Sequence, residues 1–236
     1  NQTWTADQLE EVTGGVWIQK PGEGWYVQSV VAGVSHIDML PKPTLFIAHD
    51  SFDRIRHESS RNTGKNIDRH KGLENSYQKL AGAVVSKINI SVPKDFPLLY
   101  VKDPIKEFIN LGLVARDRYK GHVIAITGSV GKSTLNSMLK SQLSKSGNKV
   151  LSRSDNYNSR VGAPGILASL SKDYFAVVIE MAQSALSMKR GPITQLIKPT
   201  ICVVNSISPA HMERHQSLKS LALNKSKIFF GAKSGG

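Results

Sequence analysis

Residues 128–134, Gly-Ser-Val-Gly-Lys-Ser-Thr, have the types and spacing of a loop that binds phosphate. Gly128 and Gly131 let the backbone turn closely around phosphate oxygens, where a Cβ atom would clash. Lys132 can reach the β- and γ-phosphates of a nucleotide as a point charge, and Ser133 can offer its hydroxyl group to Mg²⁺. The motif is a shorter variant of the common P-loop, because it lacks that pattern's first glycine. The alternative interpretation is a glycine-rich turn with a surface lysine.

The elements on both sides of this loop favour phosphate binding. An apolar, β-branched run before it predicts a strand, and Leu135, Met138, Leu139 and Leu143 follow it at helical spacing. Loop N–H groups and a helix N-terminus together bind phosphate in this arrangement. The residues that we expect to contact the nucleotide here are Gly128, Ser129, Val130, Gly131, Lys132, Ser133 and Thr134.

Strands and helices alternate regularly from residue 121 onward. The strands are continuous apolar runs, which are typical of a parallel sheet covered on both faces. The pattern predicts a mostly parallel, doubly wound sheet of the P-loop type within residues 119–236. The predicted strands are 122–127, 149–152, 175–180 and 200–205, and the predicted helices are 132–146, 163–171, 184–197 and one that begins near 217.

Residues 1–118 predict a separate, smaller α/β domain. Thr5 and Gln8 have the spacing of a capping box at a helix start, and Asp103-Pro104 predicts the start of a longer helix. Residues 50–71 are polar and basic and predict an exposed loop or an insertion. The remaining predicted elements are strands at 25–31, 44–48, 81–86 and 98–101 and a helix at 75–80.

Composition excludes some classes of protein. The chain has 236 residues and a formal charge of +13. The basic residues are scattered and not interleaved with aromatic residues, so we expect a solvated basic surface, with a nucleic-acid-binding NTPase as the alternative.

No apolar run approaches the ~20 residues of a membrane span, and the first residues are polar and unlike a signal peptide. With Cys202 as its single cysteine the chain has no internal disulfide, and we expect a cytoplasmic protein.

Further polar residues follow the predicted strands at their carboxyl ends. Glu180 ends the strand at 175–180, where a carboxylate can bind Mg²⁺ or cap a helix. His211 follows the last strand; His215 is four residues later, but no third ligand indicates zinc. Asn158 lies in a polar loop that either contacts phosphate or forms a plain turn. From composition alone, we expect Lys225 in the last helix to be an ordinary surface lysine.

Taken together, these segments resemble the Mur ligase family of ATP-dependent amide ligases in peptidoglycan synthesis. The resemblance covers nearly all of the chain, and it is to the branch that adds D-alanyl-D-alanine to UDP-N-acetylmuramoyl-tripeptide. The matching segments are Thr127-Gly-Ser-Val-Gly-Lys-Ser-Thr134, Asn158-Ser-Arg-Val-Gly-Ala-Pro164, Val178-Ile-Glu-Met181, Asn205-Ser-Ile-Ser-Pro-Ala-His211 and Ala222-Leu-Asn-Lys225.

The resemblance implies a role for each matching residue. It implies that Ser133 and Glu180 bind one Mg²⁺, that His211 binds metal, and that Lys225 is carbamylated and helps bind a second Mg²⁺. Lys132, His211 and Lys225 would be catalytic, and Asn158 would contact the nucleotide.

The implied reaction is an ADP-forming ligation of an acid to an amino acid, with ATP and Mg²⁺ as cofactors. The substrate carboxylate becomes an acyl phosphate, which an amine then attacks. The implied partners are an acidic or UDP-linked peptide substrate and an amino acid or dipeptide. Residues 1–118 would be the uridine-nucleotide domain and residues 119–236 the ATP-binding domain.

Departures from the family motifs keep other functions open. Val-Ser-His at 34–36 stands where Asp-Ser-Arg is usual, Asp68-Arg-His70 matches Asp-Gly-His only in part, and Lys227 replaces a glutamate. Family members are considerably longer, so we expect an incomplete central domain, no C-terminal ligase domain and, for the chain alone, possible inactivity. The alternatives are a related ligase of a capsule, poly-amino-acid or natural-product pathway, and a non-catalytic nucleotide-binding relic.

Overall fold

The computed structural model describes residues 2–33, 40–57, 67–153, 158–187, 191–209 and 217–232. The chain divides into two compact units, which are described one at a time. None of the helices in the described part of the chain has the length and apolar character that a membrane span requires. The first unit is Asn1–Asp117 with Leu167–Ser171, and the second is Arg118–Ile166 with Lys172–Gly236.

The first unit contains a five-stranded sheet. Its elements are β1 (Trp4–Thr5), α1 (Ala6–Thr13), β2 (Val16–Gln19), β3 (Tyr26–Val27), β4 (Ser29–Val31), β5 (Thr44–Ile47), α2 (Ser51–His57), α3 (Arg69–Glu74), a 3-10 helix (Tyr77–Lys79), β6 (Gly82–Val85), β7 (Leu98–Tyr100) and α4 (Pro104–Arg118). The sheet order is β2-β7-β6-β5-β4, and β1 pairs separately with β3. Only β2 is antiparallel to its neighbour in the five-stranded sheet, since the β7-β6-β5-β4 pairs are parallel.

Capping bonds start α1 and α4 where the sequence predicts them. The Gln8 N–H donates to Thr5 Oγ1 at 3.3 Å, and the Thr5 N–H donates to Gln8 Oε1 at 3.1 Å, which completes the capping box of α1. Gly14 ends α1 with a φ of 61°, a left-handed conformation that favours glycine. At α4, Asp103 Oδ1 accepts a hydrogen bond from the Lys106 N–H at 3.0 Å.

Residues from later in the chain complete the first unit. Ser169 Oγ accepts from the Val30 N–H at 2.9 Å and donates to the Val30 carbonyl at 3.1 Å. The buried Trp4 indole N–H donates to the Ala168 carbonyl at 2.7 Å. The segment 167–171 therefore satisfies polar groups of the first unit, although it lies beyond residue 118 in sequence.

The prediction of an exposed loop at 50–71 is wrong for residues 51–57 and 69–74, which form α2 and α3, whereas Ile67 is exposed and lies outside any helix or strand. Helix α2 begins there because Asp50 Oδ1 accepts from the N–H groups of Phe52 and Asp53 at 2.9 and 3.0 Å. Helix α3 begins where Asp68 Oδ1 accepts from the His70 N–H at 3.0 Å. Polar residues that favour turns thus act here as helix caps. Residues 58–66 lie outside the described part, and the helix predicted at 75–80 is only the short 3-10 helix.

The second unit contains a four-stranded, entirely parallel sheet. Its elements are β8 (His122–Thr127), α5 (Lys132–Lys145), β9 (Val150–Ser152), α6 (Gly162–Leu167), β10 (Ala176–Glu180), α7 (Gln183–Leu186), α8 (Thr194–Ile197), β11 (Ile201–Val204), α9 (Leu218–Ser226) and a 3-10 helix (Lys227–Gly231). The strand order is β11-β8-β10-β9, and all three pairs are parallel. This arrangement confirms the predicted α/β class and its parallel sheet.

The helix predicted at 184–197 is two short helices, α7 and α8. Gly191, with a φ of 83°, and Pro192 precede α8. A left-handed glycine and a residue without an N–H group cannot continue a regular helix.

The strand order fixes what surrounds the loop after β8. Because β8 lies between β10 and β11, the carboxyl ends of these two strands flank the loop on either side. Ligands of open parallel sheets bind at such an edge, where the strand order reverses. The next element, α5, packs its inward face on β10 and β9.

Candidate functional site

The phosphate loop, residues 128–131, joins β8 to α5. Gly131 has a φ of 76°, and a Cβ atom there would lie 2.7 Å from Asn205 Nδ2. A Cβ atom at Gly128 would lie 3.2 Å from the Ser206 backbone nitrogen. The backbone conformation at Gly131 favours glycine, and at both positions the chain after β11 approaches closely.

The N-terminus of α5 has the properties of an anion-binding site. Gly131 is its N-cap, and no side-chain capping bond closes the first turn. The first N–H groups of a helix are free of intrahelical partners and carry the positive end of the helix dipole. Lys132, the first residue of α5, bends back so that its Nζ donates to the Gly128 carbonyl at 2.9 Å. The lysine and the helix end thus lie at the same loop, an arrangement that fits a phosphate group.

The buried carboxylate of Glu180 lies beside the first turn of α5. Its Oε2 accepts a hydrogen bond from Ser133 Oγ at 3.0 Å, and its Oε1 accepts one from Asn136 Nδ2 at 3.0 Å. The residue is only 5% exposed, and no lysine, arginine or histidine of the described residues forms an ion pair with it. A buried carboxylate without a positive partner is costly. Its oxygen atoms and that of Ser133 are the hard donors that Mg²⁺ prefers, so this pair fits Mg²⁺.

Six hydrogen bonds between described residues connect the phosphate loop to the post-β11 loop, residues 205–208. The Ser129 N–H donates to the Ser206 carbonyl at 2.9 Å, and the Val130 N–H donates to Ser206 Oγ at 3.1 Å. Ser129 Oγ donates to the Ser208 carbonyl at 2.9 Å, and Asn205 Nδ2 donates to the Val130 carbonyl at 2.9 Å. The two loops therefore hold one another in position. The predicted His211 and His215 follow the post-β11 loop but lie outside the described residues.

Lys225 is buried in α9, which is unusual for a lysine. Burial lowers the pKa of its ammonium group, and the positive charge of Lys132 lowers it further. No hydrogen bond or ion pair to this group is found among the described residues. The expectation from composition of an ordinary surface lysine is therefore wrong, and the structure brings Lys225 within electrostatic reach of Lys132.

The other predicted residues occupy less central places. Asn158 is half-buried, and its carbonyl accepts from the Ala182 N–H at 2.9 Å, which holds its loop beside the end of β10. Thr134 is exposed in the first turn of α5, and Val130 is 60% exposed at the tip of the phosphate loop. The structure places all three near the carboxyl edge of the sheet, and the side chains of Asn158 and Thr134 have no polar partner among the described residues.

Two residues of the site were missed by sequence reasoning. Asn136, in the second turn of α5, is 1% exposed and contacts Glu180, and Ser152 at the end of β9 donates to Asn136 Oδ1 at 2.7 Å. The sequence feature that could have indicated Asn136 was its helical spacing with Leu139 and Leu143, because these three residues lie on the inward face of the helix. Met138, which follows the loop at helical spacing, is 59% exposed.

The second unit has the fold of a P-loop-type nucleotide-binding domain. Residues 126–236 match the family model of the Mur ligase middle domain. Residues 126–236 therefore belong to the Mur ligase family.

Relatives of known name agree with this assignment. The chain is 33% identical over 176 residues to the UDP-N-acetylmuramoyl-tripeptide–D-alanyl-D-alanine ligase of Buchnera aphidicola subsp. Acyrthosiphon pisum, an alignment that covers 72% of this chain and 36% of that protein. It is 31% identical over 176 residues to the ligase of the same name from Escherichia coli, with 73% and 37% covered. The aligned part thus spans little more than a third of these curated relatives.

Solved structures share the fold. A MurF structure from Acinetobacter baumannii aligns with a TM-score of 0.67 at 23% identity, over 99% of this chain and 47% of that chain. MurF from Thermotoga maritima, solved in complex with ADP, aligns with a TM-score of 0.56 at 18% identity, over 88% of this chain and 44% of that chain. At these identities the likeness concerns the fold alone.

Proposed function

We propose that this chain carries the nucleotide-binding part of an ATP-dependent ligase that joins a carboxylate to an amine in peptidoglycan precursor synthesis. The single observation that carries the proposal is Glu180, a buried carboxylate that is held beside the phosphate loop without a positive partner among the described residues. A site that needs a cation next to an anion-binding helix end is suited to a metal–nucleotide complex. The names of the relatives supply the reaction class.

Three residues would bind the nucleotide with its metal. Ser133 and Glu180 would hold Mg²⁺, and the hydrogen bond from Ser133 Oγ to Glu180 leaves the lone pairs of the hydroxyl oxygen for the metal. When bound, Mg²⁺ supplies positive charge to the phosphate oxygens. Lys132 would exchange its bond to the Gly128 carbonyl for one to a phosphate oxygen, since an anionic acceptor forms the stronger bond.

The proposed reaction has two steps. First, an oxygen of the substrate carboxylate attacks the γ-phosphorus of ATP, the bond to the bridging oxygen breaks, and ADP leaves. Then the amine nitrogen attacks the acyl carbon, loses a proton, and inorganic phosphate leaves as the amide forms. Bringing a carboxylate against a triphosphate is the electrostatic difficulty, and Lys132 together with the N-terminus of α5 would lower it by preorganised positive charge.

Lys225 and His211 would complete the site. The lowered pKa of Lys225 leaves more of its amine neutral, and a neutral amine is the form that reacts with CO₂ to give a carbamate. A carbamate there would replace a positive charge near Lys132 by a negative one and, with His211, would hold a second Mg²⁺. Labelling with ¹³C-bicarbonate followed by NMR should show a carbamate carbon that is absent from Lys225→Ala.

The first unit would bind the acyl substrate. Residues 1–118 resemble the uridine-nucleotide domain of the family, and the relatives' names specify a UDP-linked muramoyl tripeptide and D-alanyl-D-alanine as the molecules that are joined. We therefore propose an acidic, UDP-linked peptide as the acyl substrate and a dipeptide as the amine.

Calorimetric titration with the ATP analogue AMP-PNP tests the carrying observation. We expect the wild-type chain to bind it more tightly with Mg²⁺ than in EDTA, and Glu180→Gln to lose this difference. Glu107→Gln is the matched control, because Glu107 is also a buried glutamate but lies on α4 in the first unit. Equal affinity of the wild-type chain with Mg²⁺ and with EDTA would contradict the proposed metal–nucleotide site.

A second assay tests the reaction itself. Release of ADP and phosphate from ATP should require both UDP-N-acetylmuramoyl-tripeptide and D-alanyl-D-alanine. Release with other acids but not with the UDP-linked peptide would indicate a ligase of another pathway. Nucleotide binding without amine-dependent phosphate release would indicate a chain that does not catalyse ligation by itself.

A further inference from the structure

Asn136 is a buried polar residue on the inward face of α5, one helical turn after Lys132. It is 1% exposed, and the helix face that carries it packs on β10 and β9. Its neighbours on that stripe, Leu139 and Leu143, pack against the apolar core of the sheet. Burying an amide among apolar side chains is costly unless its polar atoms are hydrogen-bonded, so the partners of Asn136 define what it does.

The two partners of Asn136 fix the orientation of its amide group. Ser152 Oγ donates to Asn136 Oδ1 at 2.7 Å, and Asn136 Nδ2 donates to Glu180 Oε1 at 3.0 Å. An ionised carboxylate can only accept hydrogen bonds, so the NH₂ end of the amide must face Glu180. Ser152 on β9 therefore holds the amide in the orientation that donates to the carboxylate on β10.

This bond determines how the Glu180 carboxylate is turned. With Oε1 bound to Asn136 and Oε2 bound to Ser133, rotation of the carboxylate about its last bond would break both hydrogen bonds. Hydrogen bonds to charged groups are the stronger ones, so this orientation is well defined. The amide also stabilises the negative charge of the carboxylate without neutralising it, which leaves that charge available to a cation.

We propose that Asn136 is a positioning residue that orients Glu180 for Mg²⁺, with Ser152 as its support. The proposal rests on the proposed function, since it takes Glu180 as the metal-binding carboxylate. It assigns to Asn136 a role at the metal although Asn136 would not touch metal or nucleotide. Groups that orient metal ligands in this way typically account for 10- to 100-fold in metal affinity.

Calorimetric titration of the full 236-residue chain with AMP-PNP, once with Mg²⁺ and once with EDTA, tests the proposal. Asn136→Leu keeps a similar volume but removes the donor to Glu180. We expect the Mg²⁺-dependent gain in affinity to fall about tenfold, while the affinity in EDTA stays within about twofold. Ser152→Ala should lower the same gain by about two- to fivefold, because the amide loses only the partner that fixes its orientation. Ser137→Ala, an exposed serine on the same helix, is the matched control and should change neither value.

The ratio of the two affinities separates positioning from a merely structural role. A packing defect in α5 would weaken binding in Mg²⁺ and in EDTA alike and would leave their ratio unchanged. If Asn136→Leu does not fold, as judged by circular dichroism, Asn136→Ala deletes the amide without adding branched carbon and takes its place. An unchanged ratio in the folded Asn136 variant and in Ser152→Ala would overturn the proposal.

The outcomes also separate this proposal from the one on which it rests. If the wild-type chain shows no Mg²⁺-dependent gain, the metal–nucleotide site and the role of Asn136 are both refuted. If the wild-type gain is present and Glu180→Gln abolishes it, but the Asn136 and Ser152 variants retain it, only the role of Asn136 is refuted.

Discussion

Both units place titratable side chains at or after the carboxyl ends of parallel strands, but the two groups differ in whether the carboxylate is paired with a positive charge. In the second unit, the Glu180 carboxylate is buried, and its hydrogen-bond donors among the described residues, Ser133 and Asn136, are both neutral. In the first unit, Asp68 forms an ion pair with Lys87 at 2.5 Å and a hydrogen bond with His70 at 2.8 Å. The Glu180 carboxylate has no positive partner among the described residues, whereas Asp68 is paired with Lys87.

The group in the first unit, Asp68, His70, Ser86 and Lys87, is internally complete. The Ser86 N–H donates to His70 Nε2 at 3.2 Å, so this nitrogen is the acceptor and Nδ1 carries the proton that is donated to Asp68. Every member has a partner inside the group. The comparison teaches that a cluster of ionisable residues indicates a ligand site when its charge is unbalanced, and indicates a structural element when its charges pair with one another.

Replacement of Lys132 should have the largest effect and would test the open site most directly. Lys132→Ala removes the positive charge at the phosphate loop, and a positioned charge of this kind accounts for about a hundred- to thousandfold in rate. We expect AMP-PNP affinity to fall more than tenfold and ATP turnover to be abolished, with an unchanged circular dichroism spectrum. Lys140→Ala, an exposed lysine on the same helix, is the control. Unchanged affinity in Lys132→Ala would mean that this lysine does not bind phosphate.

Replacement of His70 should destabilise the protein without affecting nucleotide binding. His70→Ala removes the imidazole that donates to Asp68 and leaves the Ser86 N–H without its acceptor, and an unsatisfied buried group costs about 1–3 kcal/mol. Urea unfolding should show this loss, and titration with AMP-PNP should show affinity within about twofold of wild type. A large loss of affinity at unchanged stability would show that this group belongs to a ligand site after all.

Acid should weaken the first unit through Asp68. Partial burial raises the pKa of this carboxyl group, but hydrogen bonds from Lys87 and His70 outweigh burial and lower the pKa to about 2. Because the folded-state pKa lies below the ordinary 3.8, the stabilisation is present above about pH 4 and is lost as the pH falls towards 2. We expect this stabilisation to contribute about 1 kcal/mol to the free energy of unfolding, since partial exposure to solvent weakens the ion pair. Urea unfolding between pH 5 and pH 2 should show a smaller decrease for Asp68→Asn than for wild type.

Replacement of Ser129 should have the smallest effect. Ser129→Ala removes the hydroxyl group that exchanges two hydrogen bonds with Ser208, at 2.9 and 3.0 Å, but keeps the backbone bond to Ser206. We expect a loss of about 0.5–1.5 kcal/mol in stability and only a few-fold loss of AMP-PNP affinity. An effect on affinity as large as that of Lys132→Ala would show that the connection between the two loops is itself part of nucleotide binding.

The sequence predicted the parallel sheet well, because its strands are buried apolar runs and its first helix follows a glycine loop. Strand β8 occupies the predicted residues 122–127, and α5 ends one residue before the predicted end at 146. Several misses lie where polar residues have two possible roles. Asp50 and Asp68 were interpreted as loop residues, but each accepts N–H bonds at a helix start, and sequence alone does not distinguish a turn from a cap.

The candidate site was predictable in its motif residues but not in its supporting residues. Glu180 and Ser133 belong to recognisable segments, and the structure joins them by a hydrogen bond. Asn136 and Ser152 belong to no motif. The hydrogen bond between them, and that from Asn136 to Glu180 on β10, depend on the strand order, in which β9 lies beside β10 and not beside β8. That neighbour relation depends on strand order, which local pattern does not specify.

The contribution of segment 167–171 to the first unit has a consequence for dissecting this protein and for its synthesis. A chain cut after residue 118 would lack the Ala168 carbonyl and the Ser169 hydroxyl, so the buried Trp4 indole N–H and the Val30 backbone would lose these partners. During translation, the amino-terminal unit likewise cannot form these bonds until residue 171 has left the ribosome. Its completion is therefore delayed until the phosphate loop, α5 and β9 have all been synthesised.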